Sequence, residues 1–467
     1  MAQQNVKEEI RPDELICIAD DEEMDITKLG ELINKHKALI TGRYDKLKKA
    51  YMNQYPNLYW SDKESWKPDN RLTVNFAKYL VDTFNGYFIG IPIKVQTDDS
   101  QVEDYLTMLG GYNDIEDHNA ELARICSIYG KGYELYSNDE AGNVSIVYLD
   151  PTEGFMVYDN TYTQKPRYFV TYYYDSEKVM HGQVLTESES WPFTDDHGLH
   201  YLRDEFHPHN FDDIPATEFL ENESRIAVFE SVYSLIVGYN KALSEKLNDV
   251  DAFADAYLAI LGAHVNDDML KNMRDSRMIS FDGDMSENPV DVRFLEKPSA
   301  DGLEENLLNR MERLIYQVSM IANINDENFG NSSGIAMAYK LQSMSNLAKT
   351  KERKFTSGLN RRYKVVFSNP VNSMGSDDWI NLRYKYTRNL PKNLLEEMQI
   401  AQGLSGIVSQ ETQLSVLSIV DNPTEEIERL KEEQSEVMAQ SIVNSYFGEN
   451  PNYPDTQAQG EDNEPNK

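Results

Sequence analysis

Apolar positions recur at helical spacing along most of this chain, and one stretch, residues 133–206, changes to alternation. From about Thr27 to Tyr51, Leu29, Leu32, Ile33, Ile40 and Leu47 predict an amphipathic helix, with Lys28, Lys35, Arg43, Lys46 and Lys49 on its solvated face. Phe76, Leu80 and Phe84 mark a second helix that Gly86, Gly90 and Pro92 end, and a third spans about Asp114 to Tyr129 before Gly130-Lys-Gly132 turns the chain into strands. Between Tyr133 and Phe206, Val144-Ser-Ile-Val-Tyr148 and Arg167-Tyr-Phe-Val-Thr-Tyr-Tyr-Tyr174 alternate, with turn signals at 138–143 and 195–198. This predicts an antiparallel meander with one face on helices.

The longest helical signal runs from Glu223 to about Leu261. Ile226, Tyr233, Asn240, Leu247 and Ala254 recur every seven residues, as do Phe229, Ile236, Leu243, Val250 and Tyr257, and only Asn240 interrupts them. A partner helix from Leu303 to Ile321 repeats Leu307, Met311, Leu314, Val318 and Ile321. Between the two lies an insert whose segments 278–281 and 290–294 read as strands. After the partner helix, Asp326-Glu-Asn-Phe-Gly-Asn-Ser-Ser-Gly334 is a small polar loop with one aromatic, and Ile335 begins another helix that runs to about Arg362. Trp379–Tyr386 is strand-like, and helix starts at Ser409 and Asn422 lie in a helical C-terminal region. The fold class is α+β, mainly α.

Charge narrows the function. Lys and Arg number 45 against 79 Asp and Glu, a net charge of −34, while 40% of residues are hydrophobic, so this is a folded acidic protein. Binding to nucleic acid through phosphate neutralisation needs the opposite sign, which argues against a transcription factor or nuclease. Two cysteines, Cys17 and Cys126, give neither a disulfide framework nor zinc spacing and suggest a reducing compartment. The N-terminal residues lack the apolar core of a signal peptide, and no segment reads as a membrane span, so a cytosolic origin is expected.

Catalytic patterns are scarce: there is no GxxxxGK[ST], no HExxH and no GxSxG. No catalytic residue, cofactor or metal is expected, and the chain is not read as an enzyme. The one cluster to weigh against this is Asp195, Asp196, His197, His200, His207 and His209, from which a metal-dependent hydrolase is one alternative. An acidic coiled-coil scaffold without a channel is another. The main basic cluster, Lys349, Lys351, Arg353, Lys354, Arg361, Arg362 and Lys364, is expected to meet carboxylates of a neighbouring subunit or of its own fold, ahead of phosphates.

Five segments in order, Asn70 to Ile93, Ile128 to Glu134, Ile214 to Leu261, Asp326 to Leu341 and Arg388 to Arg429, resemble the portal proteins of tailed siphophages that infect Gram-positive bacteria. The resemblance implies a portal-type fold: a disordered acidic N-terminus at 1–24, a wing at 25–222, a first stem helix at 223–262 and a clip at 263–299. A second stem helix at 300–323, a channel loop at 324–334, a long helix and return to the wing at 335–388, a helical crown at 389–447 and a disordered tail at 448–467 would follow. It also implies a twelve-membered ring at one capsid vertex, assembled in the host cytoplasm, through which double-stranded DNA is packaged and ejected. Asp326, Glu327, Asn328, Phe329, Gly330, Asn331, Ser332, Ser333 and Gly334 would line the channel. The large terminase subunit and head–tail adaptor would dock on the clip, where Lys271, Arg274 and Arg277 recur at three-residue steps, and major capsid and scaffolding proteins would contact the wing.

Overall fold

A computed structural model describes residues 10–447 apart from 65–66, 255–257, 262–290, 295–300, 325–333, 373, 390–393, 418 and 421. Two units are distinguished by their contacts, residues 1–389 and 390–467.

The first unit opens with a two-residue strand, β1 (Cys17–Ile18), followed by α1 (Ile26–Leu39), a π-helical turn (Ile40–Tyr44) and α2 (Asp45–Tyr51). Asp25 caps α1 by accepting from the Lys28 N–H. Next come α3 (Phe76–Ile89), β2 (Lys94–Gln96), α4 (Ser100–Tyr112) and α5 (Ile115–Tyr129). Gly130 ends α5 at φ +87°, and a Cβ there would lie 1.9 Å from the Arg225 carbonyl oxygen, so only glycine fits this turn.

The alternating region forms two sheets rather than one meander. Strands β3 (Lys131–Asn138) and β4 (Val144–Leu149) pair with the later β11 (Ala216–Leu220), in the order β11-β3-β4. The larger sheet is built from β5 (Gly154–Asp159), β6 (Pro166–Tyr174), β7 (Met180–Leu185), β8 (Glu189–Thr194) and β10 (His207–Pro208), with β9 (His200–Tyr201) also on β8. β1 adds to its edge, parallel to β5, with Cys17 opposite Tyr158. The expectation of disorder over 1–24 is therefore corrected for residues 10–24. Ile16 and Ile18 are buried, and the Asp13 carboxylate lies 3.1 Å from the Lys131 ammonium. The physical reason is long-range: an acidic segment folds where a buried cation awaits it.

Helix α6 (Tyr233–Ala254) is shorter than the predicted helix, because Leu258–Leu261 leaves it to form β12, which pairs antiparallel with β13 (Asp291–Phe294). An apolar run such as Tyr-Leu-Ala-Ile-Leu suits a strand as well as a helix. Then follow α7 (Asp301–Ser319), α8 (Gly334–Phe367) and β14 (Arg383–Lys385), which pairs with β2. The core lies where α3, α5 and α8 meet β3 and β11, with Phe84, Phe88, Phe219 and Phe355 fully buried. Helix α8 approaches β11 closely at Gly358, where a Cβ would stand 2.5 Å from the Phe219 ring. Replacing Gly358 with alanine should cost about 1–3 kcal/mol of stability through overpacking, and a urea midpoint equal to wild type would show that the ring can retreat.

The second unit contains α9 (Leu394–Leu404), α10 (Gln410–Leu414) and α11 (Pro423–Phe447). Ser409 caps α10 by accepting from the Thr412 N–H, as its position in the sequence predicts. No described helix is long and apolar enough to cross a membrane.

Candidate functional site

The feature that organises the first unit is a set of buried charge clamps fixing α6 and α8 to the body beneath them. Helix α8 carries two of these. Leu341, Met344, Ala348, Phe355, Leu359 and Val366 form its buried stripe at three- and four-residue steps, and Lys351 and Arg362 fall on that same stripe. Lys351 is fully buried, with its ammonium 2.6 Å from Glu221 and donating to Ser127 Oγ at 2.7 Å and the Ala123 carbonyl at 2.8 Å. The rings of Phe84 and Phe88 lie 5.3 and 5.1 Å away. Burial outweighs Lys351 here and holds the Glu221 carboxyl above its ordinary range.

Three turns on, Arg362 grips Glu134 of β3 through two nitrogens, one of them Nε at 2.9 Å, and also donates to Asn119 Oδ1 at 2.7 Å. His118 Nε2 lies 2.8 Å from Glu134 Oε1, the oxygen that Arg362 Nη2 also contacts. Burial would raise the Glu134 carboxyl, but the Arg362 charge and the His118 contact overcome it and bring its pKa down to about 2.

A third clamp anchors the approach to α6. The π-turn at 40–44 directs Arg43 inward, where it meets Glu230 at 2.9 Å from Nε and 2.6 Å from Nη2 and donates to the Tyr129 and Arg225 carbonyls at 3.0 and 2.7 Å. Arg43, expected on the solvated face, is thus buried; a π-turn is not visible in a 3.6-residue pattern.

Helices α6 and α7 run antiparallel, with Lys246 paired to Glu305 and Gly238 against Met311. Along α6, Asn240, Ser244 and Asn248 point at the body and accept from the backbone N–H groups of Val74, Leu72 and Asn70, at 2.8, 2.9 and 2.6 Å. These polar residues, one of which interrupts the heptads, are a docking face for an extended segment. A groove of about 710 Å³ between α7 and the start of α8 is lined by Asn306, Asn309, Arg313, Gln317, Lys340 and Ser343, among others.

The basic cluster resolves into two groups. Lys351, Lys354, Arg361, Arg362 and Lys364 each face a carboxylate of their own chain: Glu221, Glu223, Asp213, Glu134 and again Asp213. Assigning Lys351 and Arg362 to a contact between subunits is therefore corrected, since both are fully buried within this chain. Lys349 and Arg353 are exposed on the other side of α8. Of the channel-loop residues, Asp326 to Ser333 lie outside the described residues and Gly334 opens α8. Lys271, Arg274 and Arg277 lie outside them too. His200 Nδ1, His207 Nδ1 and His209 Nε2 are each within hydrogen-bond distance of a backbone carbonyl, of Gly198, Glu205 and Thr186, while His197 is exposed. These rings converge on no common point, and among the described residues no group of three metal-ligating side chains assembles.

The family model described as "Phage portal protein, SPP1 Gp6-like" matches residues 30–440. The chain belongs to the phage portal protein family. The portal protein of Clostridium phage phiCD119 is 23% identical over 404 residues, covering 81% of this chain and 88% of that relative. The portal protein of Bacillus phage SPP1 is 24% identical over 450 residues, covering 89% and 87%. A solved chain titled "Neck of empty GTA particle computed with C6 symmetry" aligns with 73% of this chain and 89% of its own length, at 11% identity and a TM-score of 0.41. This portal protein is thus a structural component of the phage particle, the head–tail connector, and its fold is the α+β portal fold. The buried clamps are what that fold uses here to hold α6 and α8 in fixed relation to the sheets.

Proposed function

We propose that twelve copies of this chain form a closed ring at one capsid vertex, through which double-stranded DNA enters during packaging and leaves at infection. The family match across residues 30–440 carries this reading. Charge supports it: at −34 per chain a ring of twelve carries roughly −400 before ion binding, so DNA passes by repulsion without adhering. In this assignment 263–299 is the clip that docks the large terminase subunit and then the head–tail adaptor, with Lys271, Arg274 and Arg277 as the contact. Major capsid and scaffolding proteins meet the wing. Lys349 and Arg353, exposed on α8, are the members of the basic cluster left for a neighbouring subunit.

Asp326 to Gly334 is the channel loop. Asp326 and Glu327 repel phosphates while Phe329 and the small polar residues touch the passing duplex without reading bases. Deleting 326–333 should leave rings intact but lower packaged full-length DNA by on the order of tenfold or more, since a collar that positions its substrate acts through geometry. Deleted particles that package and retain DNA as wild type does would reduce the loop to a connector.

A further inference from the structure

Strand β4 is the outer strand of the small sheet and has β3 on one side only. Tyr136 of β3 donates its N–H to the Pro215 carbonyl beside β11, so by the antiparallel alternation Leu135 bonds to Val147, and Val144, Ile146 and Tyr148 turn their backbone groups outward. Such an edge is ordinarily blunted by a charge, a proline or a bulge. Val144-Ser-Ile-Val-Tyr-Leu149 carries none of these.

One side chain closes the first part of the edge. Asn113, just after α4, donates from Nδ2 to the Val144 carbonyl at 3.0 Å and accepts at Oδ1 from the Ile146 N–H at 2.7 Å, as the backbone of an added strand would. One step further along β4 the equivalent pair, the Ile146 carbonyl and the Tyr148 N–H, has no partner among the described residues. A concavity of about 440 Å³ opens beside it, lined by Asp114, Asp117, His118 and Tyr148 among others. Asp114 stands at the N-cap position of α5 without capping it, and neither Asp114 nor Asp117 pairs with a cation among the described residues. His118 is only 5% exposed; its Nε2 is taken by Glu134, and its Nδ1 has no partner among the described residues.

We infer that this edge docks an extended segment of a partner protein as an added strand, with a lysine or arginine of that segment reaching Asp114 and Asp117. Carboxylates in the first turn of a helix suit its dipole and alone would indicate nothing. Beside an open, uncharged edge they select an occupant of opposite sign, and they keep off other copies of a chain whose net charge is −34. Backbone bonds to Ile146 and Tyr148 would hold the segment in place, and the carboxylates would choose it. The docking needs a single copy and does not rest on the ring.

Fluorescence anisotropy with the full-length chain and a fluorescein-labelled peptide of alternating valine and arginine tests this at physiological salt. Tyr148→Pro deletes the outward N–H and spares the β3–β4 ladder, which does not use it, so binding should weaken at least about tenfold with the thermal midpoint little changed. Asp114→Asn/Asp117→Asn should weaken it roughly tenfold and flatten its salt dependence. Hydrogen exchange resolved to single amides should show the Tyr148 N–H exchanging freely in the wild-type chain and slowing at least about tenfold with the peptide bound. Equal binding by Tyr148→Pro would mean that charge alone attracts the peptide and would overturn the docking site, as would no binding by the wild type or unchanged binding by the carboxylate variant. A Tyr148 amide already protected without peptide would mean that another copy covers the edge, and overturns it too. If Tyr148→Pro fails to fold, the carboxylate variant and the Tyr148 exchange decide.

Discussion

Replacing Arg362 with methionine should destabilise the first unit by about 3–5 kcal/mol at neutral pH, because it leaves the Glu134 carboxylate buried and without its cation. The effect carries its own pH signature. In the folded wild type the Glu134 pKa is down at about 2, against an ordinary value near 4.5. A depressed carboxyl contributes stability that is fully present above the unfolded value and is lost as pH falls from about 4.5 towards 2, here on the order of 3 kcal/mol. The variant should lack that limb. Urea midpoints measured between pH 3 and 7 should converge on acidification, and parallel curves for the two proteins would show that Arg362 acts by packing alone.

Lys351→Met should fail differently, although it breaks an ion pair on the same helix stripe. Burial already holds the Glu221 carboxyl above its ordinary range with Lys351 present, and removing the cation raises it further. A raised carboxyl contributes stability that is present below the unfolded value and lost as pH rises through the folded one. Between pH 5 and pH 8 the loss relative to wild type should therefore be smaller on the acid side and grow as pH rises, to about 3 kcal/mol where Glu221 is ionised without its cation. A deficit independent of pH over that range would mean that Glu221 stays ionised.

These clamps mark the boundary of what the chain discloses in one dimension. The helices were legible because local periodicity makes them: Ser409 and the Phe76–Leu80–Phe84 stripe stand where sequence reading puts them. So was the strand at 291–294, though not its pairing with Leu258–Leu261, which the sequence pattern places in a helix. Pairing between distant segments was not, since Asp13 with Lys131 or Arg43 with Glu230 leaves no local pattern. The alternating region gave strands but not their division into two sheets, because β11 joins β3 from eighty residues away. For Lys351 and Arg362 a signal existed: both share the helical register of Leu341, Met344, Ala348, Phe355 and Val366, whereas Lys349 and Arg353 do not. Reading the cluster by charge alone hid that distinction. Likewise the heptads over α6 are one helix with three faces, and Asn240, their single polar member, marks the face that receives Val74.

Electron microscopy of the purified full-length chain at micromolar concentration, alone and with capsid and scaffolding partners, tests the central claim most directly. The account predicts closed rings with an open axial channel. Single compact subunits under both conditions, or filaments and bundles without a channel, would contradict it.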